Sequence, residues 1–320
     1  MKYLERRLIH GVLLLMGVSV LCFLFTELAP GSYFDEMKLN PQISAETVAT
    51  LKAQYGMDKP LPTRYVLWLK SVIKGEWGYS MAYNTPVRGL LFMRARHTLL
   101  LTATAVVMSW IVAIPLGVWV ASRTNRWIER MFMGGTSLLL AIPELVLALG
   151  LLYFVVRTNA LPVGGMASLN AGQFGFWTKT FDVIKHLIVP VTTLVVASLP
   201  ILVRHVRASM KEVLASPFIQ ATRGHGVSNF RLLYRFAVPA AANPLISLFG
   251  LSLGGLLSAS LLVETITGWP GLGPFLLEAA VSRDMYVVVG VVMASTLFMV
   301  LGNFIADVML MVVDPRIRAN

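Results

Sequence analysis

The stretch RHVRASMKEVLASPFIQATRGHGVSNFRLLYRF, Arg204–Phe236, is a polar island in an otherwise strongly apolar chain. It holds six basic residues (Arg204, Arg207, Lys211, Arg223, Arg231, Arg235) against one acid, Glu212. Apolar runs of near-spanning length flank it on both sides, so it reads as a loop between two membrane crossings. Inside it, small residues alternate with basic ones at Gln220-Ala221-Thr222-Arg223-Gly224-His225-Gly226, a pattern that suits a compact helix docking into a partner.

The rest of the chain supports a membrane setting. Hydrophobic residues make up 56% of the 320, charged residues only 13%, and the mean hydropathy is +0.71, whereas a soluble domain carries about a quarter charged residues. The net charge of +11 does not point to nucleic acid. No basic run is interleaved with aromatics, and most Lys and Arg flank apolar segments as topology signals do. The single cysteine, Cys22, excludes a disulfide framework and a cysteine metal site.

Six stretches qualify or nearly qualify as spans of roughly 20 residues: Leu8–Leu28, Thr98–Ala121, Met131–Val156, Leu187–Val203, Ala237–Val263 and Tyr286–Val313. The expected fold is an all-α integral membrane protein with six transmembrane helices. Lys2, Arg6 and Arg7 precede the first span, but no small-x-small cleavage site follows it, so it reads as an uncleaved anchor. Fourteen basic residues fall before span one, between spans two and three, in the island and in the tail, against four (Arg157, Lys179, Lys185, Arg283) in the short loops opposite. Because Lys and Arg resist translocation, both termini and the island are expected to be cytoplasmic. The chain then divides into 1–30, a terminal end with the first span; 31–97, an extracytoplasmic segment; and 98–320, a five-helix core with the loop 204–236.

Segment 31–97 carries Tyr65, Leu67, Trp68, Leu69, Val72 and Ile73 at helical spacing, which predicts short helices over the outer membrane face. Ala160–Phe176, rich in Gly and small residues, reads as a flexible external loop. The fifth span holds Gly250, Gly254, Gly255, Ser258, Ala259 and Ser260, which allow close helix approach. Pro115, Pro143, Pro190, Pro200, Pro239 and Pro244 lie within or beside spans, as broken helices or as ordinary kinks.

Two features invite a chemical reading. Gly250-Leu251-Ser252-Leu253-Gly254 matches the G-x-S-x-G pattern, but in a continuous helical run without the strand-to-helix turn that exposes a nucleophile, so a packing face is the better reading and an intramembrane hydrolase using Ser252 the lesser. Glu144, just after Pro143, is the most deeply placed charge, either lining a polar path with Ser252 and Ser258 or serving a structural role at a broken helix. Glu27, Glu264 and Asp307 lie nearer span ends and read as structural. No G-x-x-x-x-G-K-[ST] loop occurs, so ATP and Mg would be handled by a partner and no cofactor is expected on this chain. An ion-gradient-driven transporter or channel remains an alternative at this level.

The island also resembles, in spacing, the cytoplasmic loop of binding-protein-dependent ABC permeases, whose pattern is E-A-A, three residues, G, nine residues, I-x-L-P. Here stand Gln220-Ala221-Thr222, Gly226 and Phe236-Ala237-Val238-Pro239. Further stretches are similar to the dipeptide, oligopeptide and nickel branch of that family: Arg6-Arg7-Leu8 through Leu28-Ala29-Pro30-Gly31, Tyr55-Gly56-Met57-Asp58-Lys59-Pro60-Leu61, Gly75-Glu76-Trp77-Gly78-Tyr79-Ser80, Val263-Glu264-Thr265-Ile266-Thr267-Gly268-Trp269-Pro270-Gly271-Leu272-Gly273 and Asp314-Pro315-Arg316-Ile317-Arg318. The polar Gly-Asp-Pro usual after the first span is here Gly31-Ser32-Tyr33.

The resemblance implies a type I importer-like permease subunit for peptides or a similar small solute. It would pair with a second permease subunit, be driven by two ATPase subunits and be fed by an extracytoplasmic binding protein. It implies that Ser216, Pro217, Phe218, Ile219, Gln220, Ala221, Thr222, Arg223, Gly224, His225, Gly226 and Val227 form a coupling helix seated in an ATPase groove, with Gly226 ending it. The fourth span is expected to continue through Val206, Met210 and Leu214 as a lever. Residues 31–97 and the turn Trp269, Pro270, Gly271 are the expected docking surface for the binding protein.

Overall fold

Apolar runs in lipid can satisfy their backbone groups only within helices or closed barrels, and here they do so as helices. The computed structural model describes residues 2–38, 42–123 and 125–313. In chain order it contains α1 (Lys2–Leu28), α2 (Tyr33–Lys38), α3 (Ala45–Gln54), α4 (Leu61–Ile73), a hairpin of β1 (Tyr79–Ser80) and β2 (Thr85–Pro86), α5 (Val87–Ser122), α6 (Arg126–Ala141) and α7 (Glu144–Thr158). There follow α8 (Phe176–Leu214), α9 (Pro217–Gly224), α10 (Asn229–Arg231), a π-helical stretch (Leu232–Ala237), α11 (Val238–Ala240), α12 (Ala242–Thr267), α13 (Leu272–Val281) and α14 (Met285–Val313). Arg316 and Arg318, and with them the motif Asp314–Arg318, lie outside the described residues.

Helices α1, α5, α8, α12 and α14 are long and apolar enough to cross a membrane. The third expected span is instead two helices, α6 and α7, bent by 92°. Pro143 explains the break: it disfavours helical backbone in the residue before it, and Ile142 is extended at φ −89°, ψ 117°. The pair together with the loop after it still runs the length of the bundle. Glu129 of α6 meets Arg207 and Lys211 near the end of α8, while Ser168, in the loop after α7, binds Asp182 near the start of α8. At 1.5 Å per residue those two levels are about 38 Å apart, more than a hydrocarbon core.

The other prolines behave differently. Pro115, Pro190 and Pro200 sit inside unbroken helices α5 and α8. Near Pro239 the chain widens into the π-helical stretch, which relieves the clash a proline ring makes with the carbonyl four residues back. The helix that holds the second expected span begins at Val87, before Thr98, directly after β2. The run 160–176, read as flexible, is pinned in its middle: Ser168 donates from N and Oγ to Asp182 (2.7 and 2.6 Å), and Gly165 N donates to Thr267 O (3.2 Å).

The main core lies between α5, α8 and α12. Small residues set its spacing, as the sequence of the fifth span predicts. A methyl at Gly250 would sit 2.7 Å from Ala306 Cβ, and one at Gly302 2.9 Å from Leu253 Cδ1, so α12 and α14 meet nearly backbone to backbone. Gly254 faces Met299, whereas Gly255 faces open space. Arg7 pairs with Asp307 at 3.1 Å, joining the start of α1 to the end of α14.

Candidate functional site

The polar island folds as the end of α8, a sharp turn and the short helix α9. Val206 and Met210 are fully buried and Leu214 packs beside them, so α8 runs unbroken out of the bundle on an apolar face. Pro217 opens α9 at its first helical position, where the missing N–H is no loss. Gly226, at φ +73°, then reverses the chain in the left-handed region that glycine enters without steric cost.

Only one residue of α9 is fully buried. Ile219 belongs to the same apolar cluster as Val206, Met210, Leu232 and Leu233. Turned away from Ile219, Gln220, Ala221 and Gly224 are exposed, as is Arg223 one turn further on, and a side chain built at Gly224 would meet nothing within 4 Å. Phe218 (55% exposed) and Phe230 (74%) flank this bare face. The helix is thus anchored by one isoleucine and presents a smooth, basic surface outward.

Half of the island's cations serve inside the molecule. Arg204 donates to Thr136 Oγ1 (3.1 Å), Met133 O (3.2 Å) and Ser137 Oγ (2.6 Å), and Arg207 and Lys211 both bind Glu129. These bonds strap α6 to the protruding part of α8. Glu129 was not singled out from sequence, because its partners lie about 80 residues away and no local pattern marks it. Arg223, Arg231 and Arg235 remain exposed.

The three path candidates sit in different settings. Glu144 is the first residue of α7, half-buried, where a negative charge is favoured by the helix N-terminus. Among the described residues it has no hydrogen bond or ion pair. Ser252 donates to Phe249 O (2.8 Å) and accepts from Trp110 Nε1 (3.1 Å), so its hydroxyl is engaged on both sides in a helix interior, which argues against a nucleophile. Ser258 is exposed and bonds only its own helix, at Gly254 O. Six residues apart on α12, the two serines point about 120° from each other.

The turn Trp269, Pro270, Gly271 is not the outward docking feature that was expected. Trp269 is fully buried; its Nε1 donates to His97 O (3.0 Å), and His97 Nδ1 meets Pro270 O (2.9 Å). Buried Glu264 accepts from Gly273 N (2.8 Å), and Thr98 Oγ1 accepts from Leu272 N (2.8 Å). The turn is therefore a plug that joins the end of α12 to the interior of α5 at His97 and Thr98. Nearby, Asp284, 1% exposed, binds Ser80 Oγ (2.6 Å) and Ala82 N (3.1 Å), holding the hairpin. Tyr83 donates to Glu278, and burial, reinforced by that carboxylate, pushes its phenol up to about 12.

Five long apolar helices and a bent pair, with one short amphipathic helix docked by Ile219 at the end of α8, make an all-α membrane bundle. The chain belongs to the family of binding-protein-dependent transport system inner membrane components: that family's model matches residues 113–319, and a model for the N-terminal part of such components matches residues 1–109. It is 33% identical to the oligopeptide transport system permease protein AppB of Bacillus subtilis over 99% of both chains. It is 30% identical to the dipeptide transport system permease protein DppB of Escherichia coli K12, also over 99% of both, and 30% identical to the glutathione transport system permease protein GsiC of Shigella flexneri over 99% of both. A solved inward-facing form of the MetNI methionine ABC transporter contains a chain that superposes with a TM-score of 0.59 at 19% identity, covering 70% of this chain and 96% of that one. That likeness supports the fold.

Proposed function

We propose that this chain is a permease subunit of an ATP-driven ABC importer that passes di- or oligopeptides, or a comparable small solute, across the cell membrane. The full-length similarity to permeases named for oligopeptides, dipeptides and glutathione supports that cargo class. A second permease subunit completes the path, two ATPase subunits bind ATP and Mg, and a binding protein delivers the solute to the segment around residues 31–97. Both termini and α9 face the cytoplasm, in keeping with the distribution of Lys and Arg.

The observation that carries this reading is α9 itself, tied to α8 through Ile219 while Gln220, Ala221, Arg223 and Gly224 are exposed. Seated in an ATPase groove, it passes movement through α8, and the Glu129 strap carries α6 and the bent third crossing along. Glu144, at the hinge of that crossing, is then placed to move with the path. The test is cysteine trapping: Ala221→Cys should cross-link to the ATPase subunit in the assembled complex and be shielded from a soluble thiol reagent. Labelling as rapid in the complex as in the isolated chain would exclude α9 as the contact.

A further inference from the structure

A cavity of about 620 Å³ opens between the end of α1, the start of α14 and the helices α3 and α4. Its walls change character along its depth. Phe25 of α1 with Val288 and Val292 of α14 make an apolar slot, and three acids (Glu27, Asp35, Asp284) and three cations (Lys52, Arg64, Arg283) line the polar part. Val292 lies seven residues into α14, so the slot descends about 10 Å below the helix start. Phe25 and Leu28 are 64% and 69% exposed, which makes the slot continuous with the lipid-facing surface of α1.

Two of these acids are engaged elsewhere, Asp35 with Ser32 and Lys38 and Asp284 with Ser80 and Ala82. Arg64 is 8% exposed. One guanidinium nitrogen meets Glu27, another meets only the thioether of Met57 at 3.6 Å, and Nε has no partner. A buried guanidinium offers five donors, and a thioether is a weak acceptor. Lys52 lines the same polar part and forms no ion pair among the described residues.

We propose that this cavity binds a phospholipid, its phosphodiester at Arg64 and Lys52 and the upper part of one acyl chain along Phe25, Val288 and Val292. The phosphate oxygens accept from Arg64 Nη1, which otherwise meets only a thioether, and from Lys52, and the slot supplies the apolar surface that a soluble anion would leave empty. The volume is that of a drug-sized site, enough for a head group and the first carbons, with the remaining chain in the bilayer. The lipid would rivet α3 and α4 to α1 and α14. This inference is independent of the cargo and of what α9 contacts.

The test uses the full chain, purified in mild detergent and delipidated, with three probes: phosphatidylglycerol, diacylglycerol and inorganic phosphate. Only phosphatidylglycerol should be retained in native mass spectrometry and raise the melting temperature, by several degrees. Lys52→Glu should weaken retention by at least about fivefold, the effect of one juxtamembrane cation, and Val292→Trp should abolish it by filling the slot while leaving the charges in place. Equal stabilisation by phosphate alone or by diacylglycerol alone overturns the proposal, as does retention by both variants at the level of the parent chain. Arg64→Gln should also lose the lipid; if it fails to fold, the other two variants decide.

Discussion

Replacing Ile219 with alanine should disconnect α9 from α8 while leaving the membrane bundle in place. The side chain is fully buried in the cluster that contains Val206, Met210, Leu232 and Leu233. Ile219→Ala removes three carbons, roughly 2.4 kcal/mol at about 0.8 kcal/mol per buried CH₂, and any residual cavity raises the loss within the ~2–5 kcal/mol range for such changes. Because α9 has eight residues and only this one fully buried, the loss falls on its docking rather than on the whole fold. A change of roughly 2.4 kcal/mol shifts a docking equilibrium about 60-fold. Hydrogen exchange over residues 217–226 should accelerate by up to that factor, and solute uptake per ATP hydrolysed in proteoliposomes with the partner subunits should drop, with membrane insertion unchanged. Ile219→Val, losing about 0.5–1.5 kcal/mol, should fall between. Unchanged exchange in the alanine variant would mean that Ile219 does not hold α9, and unchanged uptake per ATP would mean that α9 does not carry the force.

Gly226→Val should uncouple ATPase activity from uptake, because a β-branched residue at φ +73° costs about 1–2 kcal/mol or more; Gly226→Asn, which tolerates that region and meets open space, should retain most coupling. Gly273→Ala would place its Cβ 2.1 Å from Leu261 O, a backbone contact that cannot yield, so thermal stability in detergent should fall by more than the ~1–3 kcal/mol of ordinary overpacking. Asp284→Ala should free the hairpin, since the buried carboxylate's bonds to Ser80 and Ala82 are charge-assisted and worth about 1.5–3 kcal/mol each; limited proteolysis within residues 79–86 is the readout, and resistance equal to the parent chain would show the hairpin held elsewhere.

The membrane helices and α9 were legible in the sequence because their signals are local. Hydropathy marks a span whatever it packs against, and the interval from Gln220 to Gly226 forecast both a short helix and the left-handed residue that ends it. The prolines were not legible, since the same residue gives opposite results. Pro143 ends a helix on a lightly packed arm, whereas Pro190 is buried in α8, amid the core where neighbours hold the helix together. Trp269 misled for a related reason. An aromatic beside Pro and Gly looks like an exposed turn, but its indole finds its acceptor at His97 O, 172 residues away, and only the tertiary fold supplies that partner.

The basic island shows how far a local signal can be trusted. Six cations around one acid suggest a surface meant for topology or for a partner, and each would serve equally in such a count. The structure separates them by geometry: Arg204, Arg207 and Lys211 lie on the part of α8 that faces α6, where hydroxyls, a carbonyl and Glu129 meet them. Arg223, Arg231 and Arg235 lie beyond the end of α8 and stay exposed. The division follows from where the lever ends. Cations along α8 bind α6, and those past its end stay exposed, so a partner surface that seats α9, as proposed, should be lined with acceptors rather than with further cations.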